Sequence, residues 1–288
     1  MTVELRPPTT ADAQACGRII YEAFKDVAER HGFPPDFPSA DFATRLVRFF
    51  IEQPSVFGLV AETEGRVVGS NFLSEWDSIC AVGPITIAPG EQGQRTGRRL
   101  MEAVIERGAN APGIRLVQDS FNTASLSLYA SLGFEVKEPL VSIEGVAEGK
   151  PSEDIEVRPL VDEDLKACAE LCRRVTGFER TKEMQSTRQN FTPFVALRDG
   201  RVTAYGTSLF FWPLNHAVAE TEEDMEALLT GAAAYNKGEA LSFILPIRQA
   251  KLFRWCLGKG MRVVKPMTLM AMGEYQEPEG CYLPSVGF

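Results

Sequence analysis

The stretch Val82-Gly-Pro-Ile-Thr-Ile-Ala-Pro-Gly-Glu-Gln-Gly-Gln-Arg-Thr-Gly-Arg-Arg-Leu-Met101 decides how the rest of the chain is interpreted. It begins as a short apolar strand, breaks at Pro-Gly and continues into a loop with two glycines. Apolar residues at helical spacing follow, which predicts that a helix begins after the loop. The first N–H groups of a helix lack internal partners and attract anions, so this turn is a candidate phosphate site. Ordinary strand-to-helix connections have the same form, so the loop alone leaves both interpretations open.

A second stretch, Asn122-Thr-Ala-Ser-Leu-Ser-Leu-Tyr-Ala-Ser-Leu-Gly-Phe134, follows one predicted helix and one predicted strand later. Together the two stretches resemble the GNAT superfamily of acyl-CoA-dependent N-acyltransferases. The family's pyrophosphate loop, Gln/Arg-x-x-Gly-x-Gly/Ala, is here Gln92-Gly-Gln-Arg-Thr-Gly97. Its next motif, Asn-x-x-Ala/Ser-x-x-x-Tyr followed by Gly-Phe, is matched by Asn122, Ser125, Tyr129, Gly133 and Phe134.

The loop departs from the family pattern at one position. Arg95 stands where the family has its first loop glycine, so Arg95 must adopt a conformation that glycine takes more easily. Arg95, Arg98 and Arg99 add positive charge at the same turn.

The resemblance implies acetyl-CoA (coenzyme A) as the acyl donor and no metal. It implies that a backbone N–H of the strand before the loop polarises the thioester carbonyl, and that Tyr129 acts as a catalytic acid on the sulfur. Asn122 is expected to bond the pantetheine arm, to cap a helix, or both. The predicted cofactor-binding residues are Ile85, Thr86, Ile87, Gln92, Gly93, Gln94, Arg95, Thr96, Gly97, Arg98, Asn122, Ser125 and Tyr129.

The acyl acceptor is predicted to bind near two segments. In GNAT proteins the segment between the first two helices borders the acceptor pocket, so Phe33 and Phe37 either line that pocket or cover the core. Glu75 and Asp77 lie in the turn before the third strand and either bind or deprotonate an amine, or are solvated turn acids. The strand glutamate that some GNAT enzymes use as a base is here Ala81.

The C-terminus, Cys281-Tyr-Leu-Pro-Ser-Val-Gly-Phe288, is apolar and is predicted to dock into a groove. It resembles the ending of GNAT proteins related to the enhanced-intracellular-survival acetyltransferases. That resemblance implies that the Phe288 carboxylate reaches the first domain's acceptor pocket as a base or amine anchor.

The expected fold class is α/β (α+β), with two tandem GNAT-like domains that each have a mixed, mostly antiparallel sheet flanked by helices. The first domain, residues 1–147, is predicted to have the order strand, helix, helix, three strands, helix, strand, helix, strand. Residues 148–154 form a linker by composition, and residues 155–288 form the second domain.

The second domain is predicted to be a degenerate copy of the first. Ile155-Glu-Val-Arg-Pro159 parallels Val3-Glu-Leu-Arg-Pro7, and the predicted helices and hairpins recur in the same order. The copy lacks the phosphate-loop pattern and has an acidic helix entry that would repel a pyrophosphate. In the second copy, Gln249 occupies the position equivalent to Asn122, and Cys256 occupies the position equivalent to Tyr129. We therefore expect the copy to support the first site rather than bind a cofactor.

Composition excludes several classes. A net charge of -9 argues against nucleic-acid binding, and the sequence lacks membrane-spanning runs and a signal-peptide pattern. The six cysteines are scattered and are interpreted as reduced thiols in a cytoplasmic protein. The expected partner is a small-molecule or protein amine acceptor, and a homodimer is left open. The alternative functions are a non-catalytic acyl-CoA-binding or regulatory module, or a purely structural tandem domain.

Overall fold

The computed structural model describes residues 3–92 and 94–287. The chain divides into two compact units. The first comprises Met1–Leu116 and Phe121–Phe134, and the second comprises Val117–Ser120 and Glu135–Phe288. The predicted domain bounds rest on the repeated sequence pattern instead, and they stay a prediction.

The elements of the first half follow the predicted order. They are β1 (Glu4–Arg6), α1 (Ala13–Arg30), α2 (Ala40–Glu52), β2 (Val56–Thr63), β3 (Arg66–Ser74), β4 (Cys80–Val82), β5 (Thr86–Ile87), α3 (Thr96–Arg107), β6 (Gly113–Asp119), α4 (Thr123–Ser131) and β7 (Glu135–Gly145). The third predicted strand is divided into β4 and β5 around Gly83-Pro84, because proline cannot donate to a strand ladder.

Strands of the first unit are ordered β1-β2-β3-β4-β6, and β5 pairs with β3. Side chains alternate along β2, so successive residues face opposite sides of the sheet. Val60 packs in the cluster formed with α1 and α2, whereas Leu59 and Ala61 pack in the cluster that contains Leu100 of α3. Helices α1 and α2 therefore cover one face of the sheet, and α3 covers the other.

The second half repeats the same kinds of elements in a similar order. They are β8 (Ile155–Pro159), α5 (Leu165–Thr176), α6 (Thr181–Thr187), β9 (Phe194–Arg198), β10 (Arg201–Gly206), β11 (Ala217–Ala219), α7 (Glu222–Tyr235), β12 (Leu241–Pro246), α8 (Ala250–Gly258), β13 (Arg262–Gly273) and β14 (Cys281–Leu283). Five of these strands form one sheet in the order β14-β11-β10-β9-β8.

In the second unit, strands from the two halves of the chain pair with each other, and two proline carbonyls accept equivalent hydrogen bonds there. β7 lies between β12 and β13, and β13 lies between β7 and the end of β6. The N–H of Ile247 donates to the Pro139 carbonyl, and the N–H of Ser120 donates to the Pro266 carbonyl. Gly260-Met-Arg-Val-Val-Lys-Pro266 repeats the pattern of Gly133-Phe-Glu-Val-Lys-Glu-Pro139, so Pro139 and Pro266 are equivalent positions of the sequence repeat. The last long strand of the first half, β7, therefore pairs with β12 of the second half in the same way as β13 pairs with the end of β6.

Each half also begins with the same ion pair. Arg6 donates to both carboxylate oxygens of Asp12, at 2.9 and 2.8 Å, and Arg158 does the same to Asp164, at 2.6 and 2.9 Å. Each aspartate also accepts a backbone N–H three residues earlier, from Thr9 or from Val161. The two halves that the sequence predicts to be copies therefore share the geometry of this ion pair as well. Within the described ranges, no helix has the length and apolarity needed to span a bilayer.

Candidate active site

A cleft of about 600 Å³ lies in the first unit. Its walls come from the end of α1, from β5, from the loop before α3, from the first turn of α3 and from the first two turns of α4. The lining residues are Val27, Arg30, His31, Ile85, Thr86, Ile87, Glu91, Gln92, Arg95, Thr96, Gly97, Arg98, Phe121, Asn122, Thr123, Ala124, Ser125, Leu128 and Tyr129. Because α1 and α3 cover opposite faces of the sheet, the cleft connects the two faces.

The sheet is open beside β5. β4 pairs with both β3 and β6, whereas β5 pairs only with β3 among the described strands. The N–H of Ala88 donates to the Val68 carbonyl, so Ile87, one residue earlier, occupies a position whose N–H points away from β3. That N–H is directed to the side where β6 would otherwise pair, and Ile87 lines the cleft.

Thr86 offers a second polar group in the same wall. Its side chain is 5% exposed, and its hydroxyl has no hydrogen-bond partner in the described structure. Buried hydroxyls are nearly always paired, so an unpaired one in a cleft wall fits a site that receives a polar ligand.

The turn into α3 has the geometry that the motif predicts. Arg95 is the N-cap of α3 and has the left-handed conformation, with φ 62°. The expectation that it adopts a conformation easier for glycine is therefore confirmed. Gly93 lies outside the described residues, and Gln94 is exposed and does not line the cleft.

Gly97 leaves room for a ligand at the start of α3. A Cβ built on it would lie 3.7 Å from Leu128 and 3.9 Å from Ile87, which is ordinary contact distance. Packing within the protein therefore does not require glycine at this position. A close approach by a ligand does give a reason for it.

Positive charge surrounds the loop end of the cleft. The Arg98 guanidinium donates to Ser131 Oγ at 2.5 Å and lies 3.6 Å from Glu102. The Arg95 guanidinium has no hydrogen bond or ion pair with another described residue. The carboxylate in the described lining, Glu91, is paired with Arg66 at 3.0 Å. An anion at this end would therefore meet a free guanidinium and the N-terminus of α3.

Asn122 caps α4, as one of its two expected roles requires. Its Oδ1 accepts the Ser125 N–H at 3.2 Å, and the Ser125 hydroxyl donates to the Asn122 carbonyl at 2.9 Å. The side-chain nitrogen of Asn122 has no partner among the described residues, so it is available as a donor in the cleft. Further along α4, Tyr129 is 7% exposed and packs edge-on against Phe134, with 6.3 Å between ring centroids.

The end of α1 forms a wall that the motifs do not indicate. His31 Nδ1 lies 2.8 Å from the Val27 carbonyl oxygen, and its ring lies 5.1 Å from that of Phe121. Phe33 stacks on Phe121 at 4.4 Å, so one of the two predicted acceptor-pocket phenylalanines touches a cleft residue. His31 was not among the sequence candidates. The available signal was its position as one of two histidines, directly after a long helix.

The other predicted acceptor residues lie elsewhere. Phe37 packs edge-on against Phe24 within the core cluster of α1 and α2. Glu75 is held by two hydrogen bonds from Arg107, at 2.9 and 3.0 Å, and neither Glu75 nor Asp77 lines the cleft.

The predicted catalytic role of Phe288 falls on a residue outside the described ranges. Residues 281–285 are buried, and the N–H of Val286 donates to the Pro213 carbonyl at 3.0 Å. A Cβ built on Gly287 would lie 3.7 Å from Glu183 and 3.9 Å from Leu214. The C-terminal segment therefore packs within the second unit up to Gly287.

The equivalent region of the second half is filled by the chain itself. β14 pairs with β11, where Val218 lies opposite Tyr282. Gln249, the counterpart of Asn122, donates to the Tyr282 carbonyl at 2.7 Å and accepts the Tyr282 N–H at 2.9 Å. The first turn of α7 contains Glu222, Glu223 and Asp224, whereas the first turn of α3 contains no acidic residue. Among its described residues, this half thus lacks both the open strand edge and the electropositive helix start.

The thiols do not form an activated centre. All six cysteines are unpaired and buried, and burial raises the pKa of Cys16 to about 11 and the pKa values of Cys168 and Cys256 to about 12. Thiolate is the nucleophilic form, so these environments disfavour an acyl-cysteine route. No group of three or more His, Cys, Asp or Glu side chains that could hold a metal occurs in the parts of the chain that the structure describes.

Residues 19–134 match the family model for the Acetyltransferase (GNAT) family. This span contains the cleft, both motifs and the open edge beside β5. The part of the chain that forms the cleft therefore matches the GNAT acetyltransferase family model.

Solved structures share the fold over nearly the whole chain. A Pyrococcus horikoshii protein named as an acetyltransferase is 16% identical, with 99% of this chain and 94% of that chain covered and a TM-score of 0.77. A GCN5-related N-acetyltransferase from Sphaerobacter thermophilus is 17% identical, with 99% and 98% covered and a TM-score of 0.61. A tandem GNAT protein from the clavulanic acid biosynthesis pathway is 14% identical, with 94% and 98% covered and a TM-score of 0.59. At these identities the likeness establishes the fold, which is that of a tandem GNAT protein. No curated protein has a sequence that matches this chain.

Proposed function

We propose that the chain is an N-acyltransferase that moves an acetyl group from acetyl-CoA to a primary amine by direct transfer. The observation that carries the proposal is the open edge of β5 leading into the N-terminus of α3 within one cleft. We assign the reaction to residues 1–147, with 148–154 as a linker and 155–288 as a supporting copy that binds no cofactor. The acceptor is a small-molecule or protein amine, and the buried free thiols favour a cytoplasmic location.

The residues of the cleft fit the donor. The N-terminus of α3, with Arg95 and Arg98, would bind the diphosphate, and Gly97 lets it approach the backbone. Asn122 would donate its free N–H to an amide of the pantetheine arm, beside Ser125. Acetyl-CoA supplies an activated acyl carbon when it is bound. The remaining predicted contacts among the described residues lie in or next to β5, in the turn before α3 or at the start of α3: Ile85, Thr86, Gln92, Gln94 and Thr96. The predicted contact of Gly93 falls outside the described residues.

Two groups of this chain would act on the thioester. The Ile87 N–H is directed to the open side of β5 and would donate to the carbonyl oxygen as negative charge develops on it. The Tyr129 hydroxyl would give its proton to the departing sulfur, since a phenol and a thiol have comparable basicity. Phe33 would border the acceptor, and Glu75, Asp77 and the Phe288 carboxylate stay proposals for the amine site.

A thiol-release assay tests the proposal. Purified protein, acetyl-CoA and a thiol-reactive dye are combined with a panel of polyamines, amino acids, aminoglycosides and lysine peptides. We expect CoA release with at least one amine, and a fall of about 10²-fold or more in kcat for Tyr129→Phe with little change in the KM for acetyl-CoA.

A non-catalytic acyl-CoA-binding module is the second candidate. It is favoured by the pairing of the described cleft carboxylate, Glu91, with Arg66, which leaves no free carboxylate base in the lining. Calorimetry decides between the two candidates. Binding of acetyl-CoA without CoA release for any amine supports the module. Absence of both binding and stabilisation by acetyl-CoA supports a purely structural tandem domain.

A further inference from the structure

The hydrogen bond of His31 determines its tautomer. A carbonyl oxygen only accepts, so the 2.8 Å contact with the Val27 carbonyl requires a hydrogen on His31 Nδ1. In the neutral imidazole the other nitrogen, Nε2, then carries a lone pair and accepts protons. Nε2 has no partner among the described residues. His31 is therefore an oriented, free base at the cleft.

His31 lies on the α1 side of the sheet, whereas the phosphate-binding turn begins α3 on the other side. A donor whose diphosphate sits at the turn would pass the open edge of β5 and present its acyl end towards α1. Thr86 supports this direction. It lies opposite Ser70 in the β3–β5 pair, so both side chains point to one face. Ser70 in turn lies opposite Val60 of β2, which packs in the cluster formed with α1 and α2, and that face is therefore the α1 face.

The other charged or titratable groups around the cleft are already engaged or are not proton acceptors at neutral pH. Glu91 is paired with Arg66, and Arg30, next to His31 on α1, is paired with Asp26 at 2.7 Å. Arg95 and Arg98 face the cleft from the loop and from α3, and both are cations. Tyr129 faces it from α4, and a phenol is protonated at neutral pH. Among the described lining residues, His31 is left as the side chain with an unpaired proton-accepting nitrogen.

We propose that His31 is the general base of the acyl transfer and removes the proton of the acceptor amine. This inference rests on the proposed function. The amine nitrogen forms a C–N bond to the thioester carbonyl carbon, and its surplus proton passes to His31 Nε2. The C–S bond breaks with its electron pair on sulfur, which takes the proton of the Tyr129 hydroxyl. Proton exchange through water returns His31 and Tyr129 to their starting states, so the products are the amide and CoA thiol.

His31→Asn is the decisive variant. The asparagine amide can still donate to the Val27 carbonyl, because its nitrogen occupies a place similar to Nδ1, but it has no basic atom. We expect kcat with a primary amine to fall by about 10²- to 10⁴-fold, with the KM for acetyl-CoA within about twofold of the wild type. The inflection on the acid side of the kcat–pH profile should disappear. His31→Ala should show the same fall in kcat, and circular dichroism checks that this variant is folded.

Hydroxylamine separates a base from a structural residue. This amine is weakly basic, so its nitrogen is already unprotonated at the assay pH. The proton that becomes surplus when its C–N bond forms is also more acidic than that of an alkylamine, so it is lost to water with little help from a base. We expect hydroxylamine turnover by His31→Asn to fall at least tenfold less than turnover of the primary amine. A structural or binding role would lower both reactions equally, or would raise the KM for acetyl-CoA.

The outcomes distinguish the two proposals. If the wild type releases no CoA with any amine, the acyltransferase proposal and the base assignment both fail. If the wild type is active and His31→Asn retains kcat within about threefold, only the base assignment is overturned. The base assignment is also overturned if His31→Asn lowers turnover of hydroxylamine as much as turnover of the primary amine. It is overturned as well if the variant changes only the KM for acetyl-CoA.

Discussion

Asn122 accepts the Ser125 N–H with its side-chain oxygen at 3.2 Å, while its side-chain nitrogen is left without a described partner. The cap and the proposed pantetheine contact thus use different atoms of one amide. Both roles that the sequence suggested are compatible in the same conformation.

Two substitutions at Asn122 separate these roles. Serine is about as good an N-cap residue as asparagine, so we expect the free energy of unfolding of Asn122→Ser to be within about 0.5 kcal/mol of the wild type. Asn122→Ala loses the cap and should cost about 1 kcal/mol. Both lack the amide donor and should bind acetyl-CoA less tightly by a similar factor. Denaturant unfolding and calorimetry measure the two quantities, and an unchanged affinity in Asn122→Ser would refute the donor role.

Arg95 combines an uncommon backbone conformation with a free charge. Arg95→Gly relieves the left-handed strain, whereas Arg95→Ala keeps it, so we expect the glycine variant to be more stable by about 1 kcal/mol. Both variants lose the guanidinium and should bind acetyl-CoA about fivefold less tightly, with a smaller difference at high salt. Wild-type affinity in Arg95→Gly would show that loop amides alone suffice for the diphosphate.

Gly97→Ala should dissociate stability from binding. The added methyl meets Leu128 and Ile87 at ordinary contact distances, and alanine is favoured over glycine in helices. We therefore expect a melting temperature at or above that of the wild type together with weaker acetyl-CoA binding. Gly258→Ala, at the end of α8 with no atoms near the new Cβ, is the matched control and should leave affinity unchanged. Equal affinity in both variants would contradict the close approach at Gly97.

The paired aspartates make acid stability testable. Hydrogen bonds from Arg6 and Arg158 lower the pKa values of Asp12 and Asp164. Because the folded pKa lies below the unfolded one, each pair stabilises the fold above the unfolded pKa of about 3.9, and that stability is lost as pH falls. Asp164→Asn should cost about 1–3 kcal/mol at pH 7 and less at pH 3.

The exposed acid Glu170 lies on α5, the helix that begins directly after Asp164, and provides the control. It lies 3.9 Å from Lys166, and Glu170→Gln should cost less than about 0.5 kcal/mol at either pH. Urea unfolding at the two pH values makes the comparison. A loss in Asp164→Asn that is equally large at pH 3 would mean that the charge is not its cause.

Local patterns were enough to predict much of this structure. The motif residues around Arg95 and Asn122 lie in one cleft because a strand, a turn and a helix start are determined by neighbouring residues. Other features depend on tertiary packing. Phe37 lies in the core because it packs against Phe24 of α1, and His31 lines the cleft because the end of α1 forms one of its walls. The sequence around Phe37 and His31 has no periodic pattern from which either position could be predicted.

The exchange of β7 and β13 could not be predicted for a related reason. Pro139 and Pro266 occur in repeated segments with the same strand pattern, so each strand is equally suited to either half. Only the three-dimensional structure shows that Ile247 pairs with Pro139 and Ser120 with Pro266. The division of the third predicted strand at Gly83-Pro84 is different, because proline's missing N–H could have indicated it.

The central claim is that acetyl-CoA binds through the N-terminus of α3 and presents its thioester at the open edge of β5. A crystal structure of the protein grown with saturating acetyl-CoA tests this most directly. The account predicts the diphosphate within hydrogen-bond distance of the amides around Arg95–Arg98, and the thioester oxygen within such distance of the Ile87 N–H. Acetyl-CoA bound at another surface, or a cleft without density for it at saturating concentration, would contradict the account.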